Sequence, residues 1–347
     1  MKFPPEGLKY KQMKPEDFFN KPATPSKSEK IKILANDGLA KAGVEQLENA
    51  GFEVISTKVA QEQLAEYINS KNIRVLLVRS ATPVDKKLID SCKNLKLIGR
   101  GGVGLDNIAV EYAESKGIKV INTPQAASGS VAELVFAHLF SGVRKLFDAN
   151  RNMPLEGESR FKELKKSYSA GIELRGKTLG IIGFGRIGRE VAKIALGLGM
   201  KVIASDKEVG EVKITLEFYN HQSIEIPIKT EPVEELIKHS DFITLHVPAQ
   251  TKPLIGKKEL DAMKPGVGII NTARGGVIDE VALLEAIEEG KVSFSGLDTF
   301  EAEPRPAIKL LMNEKLSLSP HIGASTLEAQ ERIGLELAQQ IISHFKK

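Results

Sequence analysis

From Ile31 onward the chain alternates short apolar runs with amphipathic stretches. Apolar runs of four or five residues bounded by polar turns read as buried strands, and apolar residues spaced three and four apart read as helices packed on them. Five strands are expected in the first half, at Ile31–Ala35, Phe52–Ile55, Val75–Val78, Leu95–Ile98 and Ile118–Ile121, separated by helices near 39–50, 59–70, 84–92 and 107–116. Such alternation builds a parallel α/β sheet. Ser130–Asn150 reads as one long helix with enough apolar surface to lie between two domains. A second series follows, with strands near 179–182, 201–205, 242–247, 267–271 and 293–297. The last long helix, Ser325–Phe345, is expected to return to the first unit, leaving a cleft between the two halves.

Two stretches depart from the alternation. Residues 211–229 carry period-two patterns on both sides of Tyr219–Gln222, through Val212, Ile214, Leu216 and Phe218 and then Ile224, Ile226 and Ile228. That is a β-hairpin, expected as a surface decoration. Residues 1–30 hold five prolines and no sustained period, which fits an extended arm.

The stretch Lys177–Asp206 carries the first chemical signal. After the strand at 179–182, Gly183, Gly185 and Gly188 fall in the G-x-G-x-x-G spacing that opens a helix. The first glycine permits the tight turn, the second lets a pyrophosphate approach the backbone, and the third lets helix and strand pack closely. The free amides near Arg186 and Ile187 would hold the phosphates. Asp206 ends the next strand, where a carboxylate accepts from both ribose hydroxyls and repels a 2′-phosphate. The cofactor expected is NAD.

The formal charge of +4 raises the question of a nucleic-acid partner. Residues 1–30 hold seven lysines against four acids, so most of the surplus belongs to the arm and no basic patch is expected on the folded part. Cys92 is the one cysteine, which excludes an intramolecular disulfide. No apolar run approaches a membrane span, and no secretory signal is evident, so a cytoplasmic protein with no nucleic-acid or membrane partner is expected. No H-E-x-x-H or paired-cysteine motif supports a metal site.

A nicotinamide enzyme also needs a cation for its substrate and a proton donor and acceptor for the substrate oxygen. Arg274 follows a strand in GIINTARGG, and its rigid fork suits a carboxylate. Asp298 and Glu303 lie in SGLDTFEAEP, and His321 lies in a loop before the last helix. Of the six histidines, His138, His221, His239 and His344 have structural explanations. His246 ends a strand and is able to line the cleft, but no acidic partner is apparent. His321 is the preferred acid and base, and a carboxylate such as Glu303 beside an imidazole stabilises its protonated form.

Taken together, GFGRIGREVA with Asp206, NTARGGVIDE, GLDTFEAEP and SPHIGAST resemble the D-isomer-specific 2-hydroxyacid dehydrogenase family, over nearly all of 31–345. The resemblance implies two Rossmann-like domains: a discontinuous, flavodoxin-like substrate domain over 31–127 and 320–347, and a doubly wound NAD-binding domain over 128–319. It implies catalytic roles for Arg274, Glu303 and His321. Arg274 would bind the substrate carboxylate and carbonyl oxygen, His321 would act as acid and base, and Glu303 would tune it. It implies cofactor contacts at Val103, Gly183, Gly185, Arg186, Ile187, Gly188, Asp206, Val247, Thr272, Ala273, Asp298, Gly323 and Ala324, with Asp298 holding the nicotinamide carboxamide.

Substrate contacts are implied at Arg79, Ser80, Gly102, Val103 and Arg274. Arg79 and Ser80 in VRSATPV are similar to the segment that binds phosphate and carboxylate in the branch acting on a phosphorylated 2-hydroxy acid, and Arg100 adds charge nearby. The other branches, which reduce glyoxylate or hydroxypyruvate, and an NAD(H)-sensing corepressor-like binding protein are the alternatives. A homodimer is implied, with the helix from Ser130 as the contact. Three features depart from the family pattern: Ala127 where an asparagine is usual, an end soon after His344, from which no C-terminal regulatory domain is expected, and the additions at 1–30 and 211–229.

Overall fold

The computed structural model describes residues 30–346, so all of the predicted arm but Lys30 lies outside the described residues. The first half runs β1 (Lys32–Ala35), α1 (Lys41–Asn49), β2 (Glu53–Ile55), α2 (Gln61–Ser70), β3 (Ile73–Val78), α3 (Lys86–Ser91), β4 (Leu97–Arg100), α4 (Val110–Ser115) and β5 (Lys119–Asn122). Two helices, α5 (Ser128–Val143) and α6 (Leu146–Ser167), lead into the second half. There β6 (Thr178–Ile182), α7 (Arg186–Gly197) and β7 (Lys201–Ser205) precede a hairpin of β8 (Glu211–Glu217) and β9 (Ser223–Lys229). The chain continues through α8 (Val233–His239), β10 (Phe242–Leu245), α9 (Lys257–Ala262), β11 (Val267–Asn271), α10 (Glu280–Glu288) and β12 (Val292–Leu297). It ends with α11 (Ile308–Leu311), β13 (Leu316–Leu318) and α12 (Leu327–Phe345).

Both main sheets are parallel throughout. The first has the order β2-β1-β3-β4-β5, the flavodoxin-like arrangement with its switch point between β1 and β3. The second has the order β13-β12-β11-β10-β6-β7, with its switch point between β6 and β10. Ligands in such sheets bind beyond the carboxyl ends of the strands at the switch point. Here the loops beyond β3 and β4 of the first sheet and beyond β6, β10 and β11 of the second line one cleft. The long terminal helix does return. Ile333, Leu337, Ala338 and Ile341 of α12 join Ile33, Leu77 and Leu97 in one core cluster of the first half. Close approach is required where α12 crosses α1, because a Cβ on Gly43 would meet the Gly334 carbonyl carbon at 2.7 Å.

Three expectations need correction. The single helix over 130–150 ends at Val143, and Lys145 takes a left-handed φ of 52° before α6 begins. The physical cause is a change of surroundings. Ala132, Val135, Phe136, Leu139 and Val143 pack against Leu179, Ile181, Ile270 and Phe294, whereas Leu146, Met153, Leu155 and Phe161 of α6 are exposed. Most of α5 is buried, but Phe140 on its outer face is 44% exposed. The other exposed apolar side chains of this stretch lie on α6.

The hairpin was legible but is more than decoration. Ile214 and Ile228 are buried in the same cluster as α7, and a parallel bridge joins Thr230 to Ala204 of β7. It therefore covers the sheet edge at β7, where an open row of backbone groups would invite pairing with another chain. Finally, the three residues of β13 add a sixth strand that periodicity could not resolve.

Candidate active site

The glycine turn has the expected geometry. Gly183 has φ 94°, and a Cβ there would run into the His246 carbonyl. A Cβ on Gly188 would strike the Gly183 carbonyl oxygen, while Gly185 has nothing within 4 Å and leaves the approach open. Gly185 precedes α7 without a side-chain cap, so the first amides of the helix face the turn unpaired. Asp206 is tied to this turn: its Oδ2 accepts from the Phe184 amide at 2.6 Å, and its Oδ1 accepts from Glu208 and Val209 at 2.8 and 3.2 Å. Burial works to raise its pKa, but these amides and the charge of Arg189 outweigh it and hold the carboxyl below the usual range.

The cleft between the halves measures about 420 Å³. At the end of β11, Asn271 shapes the turn by accepting from the Ala273 amide and donating to the Arg274 carbonyl. Arg274 then donates through Nη1 to the Ala273 carbonyl at 2.6 Å and through Nε to Asp106 of the first half at 2.9 Å. His321 has a left-handed φ of 54°, a costly conformation for a side-chain-bearing residue. Asp298, 1% exposed, fixes its loop by accepting from the Ser319 hydroxyl and the amides of Ile322 and Gly323 at 2.6, 2.8 and 2.9 Å. The loop holds His321 Nδ1 2.9 Å from Glu303 Oε2, and Glu303 Oε1 accepts from the Phe300 amide.

His246 is no rival in acid–base work. Its Nε2 lies 3.0 Å from Thr244 Oγ1, its Nδ1 is buried without a partner, and burial pushes its pKa down to about 3. It stays neutral at any ordinary working pH.

The first half contributes cations. Arg79, Ser80, Arg100, Gly102 and Val103 reach the same cleft. The loop bearing Arg79 is fixed by Asp37, which accepts from the Arg79 and Thr82 amides, and by Asn107, which donates to the Arg79 and Thr82 carbonyls. Arg100 has a buried Nε with no partner. Burial pushes its pKa down to about 10, with Arg274 and Arg79 adding to that effect and Asp106 opposing it.

Of the sequence-predicted residues, Arg79, Ser80, Gly102, Val103, Gly185, Arg186, Ile187, Val247, Thr272, Ala273, Arg274, Asp298, His321, Gly323 and Ala324 all line this cleft. Glu303 sits behind His321 in an adjoining apolar pocket, Gly183 and Gly188 lie beneath the turn, and Asp206 stands at the end of β7. The sequence reading missed Asp106. Its signal was available in RGGVGLDN, where Gly104 leaves room for the Arg274 guanidinium. The cleft also fits a dinucleotide on its own chemistry. The open approach at Gly185 continues to the partnerless buried Nδ1 of His246 and Oγ1 of Thr272. Among the described residues, no group of three His, Cys, Asp or Glu side chains is placed to hold a metal ion.

Residues 136–323 match the family described as "D-isomer specific 2-hydroxyacid dehydrogenase, NAD binding domain". The chain belongs to this family. Its cofactor is NAD. It is 44% identical over 318 residues to a hydroxypyruvate reductase of Thermotoga maritima, covering 90% of this chain and 97% of that one. It is 42% identical over 313 residues to a D-3-phosphoglycerate dehydrogenase of Methanocaldococcus jannaschii, covering 90% of this chain but 57% of that protein. Among solved structures, an NAD⁺-bound 3-phosphoglycerate dehydrogenase of Entamoeba histolytica superposes with a TM-score of 0.72 at 29% identity, covering 92% and 96% of the two chains. Family membership accounts for both the doubly wound second half and the glycine turn.

Proposed function

We propose that this dehydrogenase oxidises D-3-phosphoglycerate to 3-phosphohydroxypyruvate, feeding serine synthesis. The observation that carries this reading is the convergence of Arg79, Arg100 and Arg274 on one cleft, with the buried Nε of Arg100 unpaired. Three guanidinium groups suit a substrate with a carboxylate at one end and a phosphate at the other. Arg274 binds the carboxylate through the guanidinium edge left free by Asp106 and Ala273. With Nδ1–H of His321 donated to Glu303, Nε2 is the nitrogen that takes the hydroxyl proton. As that O–H bond breaks, the C2–H pair leaves as hydride and the carbonyl forms. NAD supplies the hydride acceptor.

We assign the substrate domain to 31–127 with 320–347 and the NAD-binding domain to 128–319. We further infer a cytoplasmic homodimer, joined through the helix from Ser130 and its continuation, where Phe140 of α5 and Leu146, Met153, Leu155 and Phe161 of α6 are exposed.

A second reading, reduction of hydroxypyruvate, is favoured by the Thermotoga maritima relative, which matches this chain along nearly its whole length. The test compares phosphorylated and unphosphorylated substrates in wild type, R79A and R100A. Each substitution should cut kcat/KM for 3-phosphoglycerate by about 10-fold or more, the scale of a lost charge-assisted hydrogen bond. Glycerate should be little affected. Preference of the wild type for unphosphorylated hydroxypyruvate, with no penalty in R79A, would establish the second reading instead.

A further inference from the structure

Behind the cofactor site runs a chain of hydrogen bonds that the proposed reaction does not use. His138 is buried in α5, seated over Gly296 of β12, where a Cβ would meet the His138 Cβ at 2.6 Å. Its ring bridges two serines. Nδ1 lies 2.8 Å from the Ser317 hydroxyl and Nε2 lies 2.9 Å from the Ser319 hydroxyl, which in turn lies 2.6 Å from Asp298 Oδ1.

The direction of every bond follows from the acid at the end. A carboxylate only accepts, so the Ser319 hydroxyl donates to Asp298 and must itself accept from His138. His138 therefore carries its proton on Nε2, and its Nδ1 accepts from Ser317. Burial holds this imidazole below its ordinary range, although the charge of Asp298 pulls the other way. The bond to Ser319 requires a proton on Nε2, and the neutral ring that burial favours leaves Nδ1 to accept from Ser317. At the far end, Oδ1 of Asp298 takes Ser319 and the Ile322 amide, and Oδ2 takes the Gly323 amide. One acceptor position on Oδ2 is left, on a residue that lines the cleft.

We propose that His138 is a positioning residue for the cofactor, acting through Ser319 to fix the rotamer of Asp298 so that Oδ2 receives the N–H of the nicotinamide carboxamide. The proposal rests on the reading of Asp298 as the carboxamide partner. A hydrophobe at 138 would fill the space but leave the Ser317 and Ser319 hydroxyls without this partner. Only a donor at the Nε2 position keeps Ser319 turned toward Asp298.

The deciding measurement is discrimination between NAD and 3-acetylpyridine adenine dinucleotide, whose methyl ketone has no N–H to donate. In the full-length enzyme, H138M should lower kcat/KM for NAD by about tenfold, the effect of loosening one hydrogen bond to a charged group, while the analogue changes little. S319A should behave the same way without altering the helix packing, and it keeps the test alive if H138M folds poorly. H138Q, which offers an amide N–H near the Nε2 position, should recover most of the discrimination. A lower Tm with discrimination intact in both H138M and S319A would make His138 a packing residue and overturn the proposal. D298N separates the two levels. If D298N abolishes discrimination while H138M and S319A do not, only the role of His138 fails. If D298N itself leaves discrimination intact, the carboxamide reading fails and takes the proposal with it.

Discussion

The two halves of this molecule are built on the same plan, yet their ligand-facing ends do opposite things. In the second half, the chain leaves β6 through glycines and enters α7 with free amides, so backbone can face a pyrophosphate. In the first half, the residue that leaves β1 toward the switch point is Asp37, and its carboxylate takes the Arg79 and Thr82 amides that an anion would otherwise claim. The protein's own acid closes that position. In the function proposed above, anion binding in the first half falls to the side chains Arg79 and Arg100, which line the cleft and suit a small substrate better than a dinucleotide. The same architecture thus becomes a cofactor site or a substrate site according to a few residues beyond its strand ends.

Replacing the reactive group where the two halves meet should have the largest effect. H321A should lose about a hundred- to ten-thousand-fold in kcat, the usual contribution of a general acid–base, while NADH still binds in a fluorescence titration. Near wild-type turnover would remove His321 from the chemistry. Next comes the edge cover. I214A should destabilise the protein by about 2–5 kcal/mol in denaturant unfolding, because a buried isoleucine is lost from the core beneath α7. A surface-like change would restore the view of the hairpin as decoration.

D37N should cost about 1–3 kcal/mol at neutral pH by weakening bonds to buried amides. Burial alone would raise the Asp37 pKa, but the Lys58 bond, the Arg79 amide and the Thr82 hydroxyl outweigh it and hold the carboxyl below its ordinary range. A depressed carboxyl stabilises the fold fully above its unfolded value, about 3.9, and loses that contribution as pH falls through the lower folded value. The stability gap between wild type and D37N should therefore close in acid. A gap independent of pH would mean that Asp37 does not act through its charge. The smallest effect is expected for K213A, which breaks the exposed pair with Glu225 on the hairpin. Stability should move by no more than about 0.5 kcal/mol.

Much of this was legible in the sequence because it is local. The strand positions, the three glycines, Asp206 and the hairpin each follow from the identity of a residue and its near neighbours. The second helix α6 was missed because its helical state does not show as a buried periodic face: only Leu164 of its 22 residues is buried. Asp106 was missed because its partner lies 168 residues away, across the cleft. His138 was read as a core histidine, which it is, but nothing around it in sequence announces Ser317, Ser319 or Asp298.

The sequence by itself determined the family, the cofactor, the two parallel sheets and the identities of the candidate reactive groups, since these depend on short-range pattern and on residue chemistry. Tertiary structure decided which groups meet. It joined Arg274 to Asp106, and it enclosed His246 while leaving His321 beside Glu303. It filled the switch point of the first sheet with Asp37 and brought three arginines to one cleft. Those outcomes depend on where chain segments far apart in sequence come to rest, which is set by burial of the apolar faces of two sheets and the return of α12, and no local pattern of residues records it.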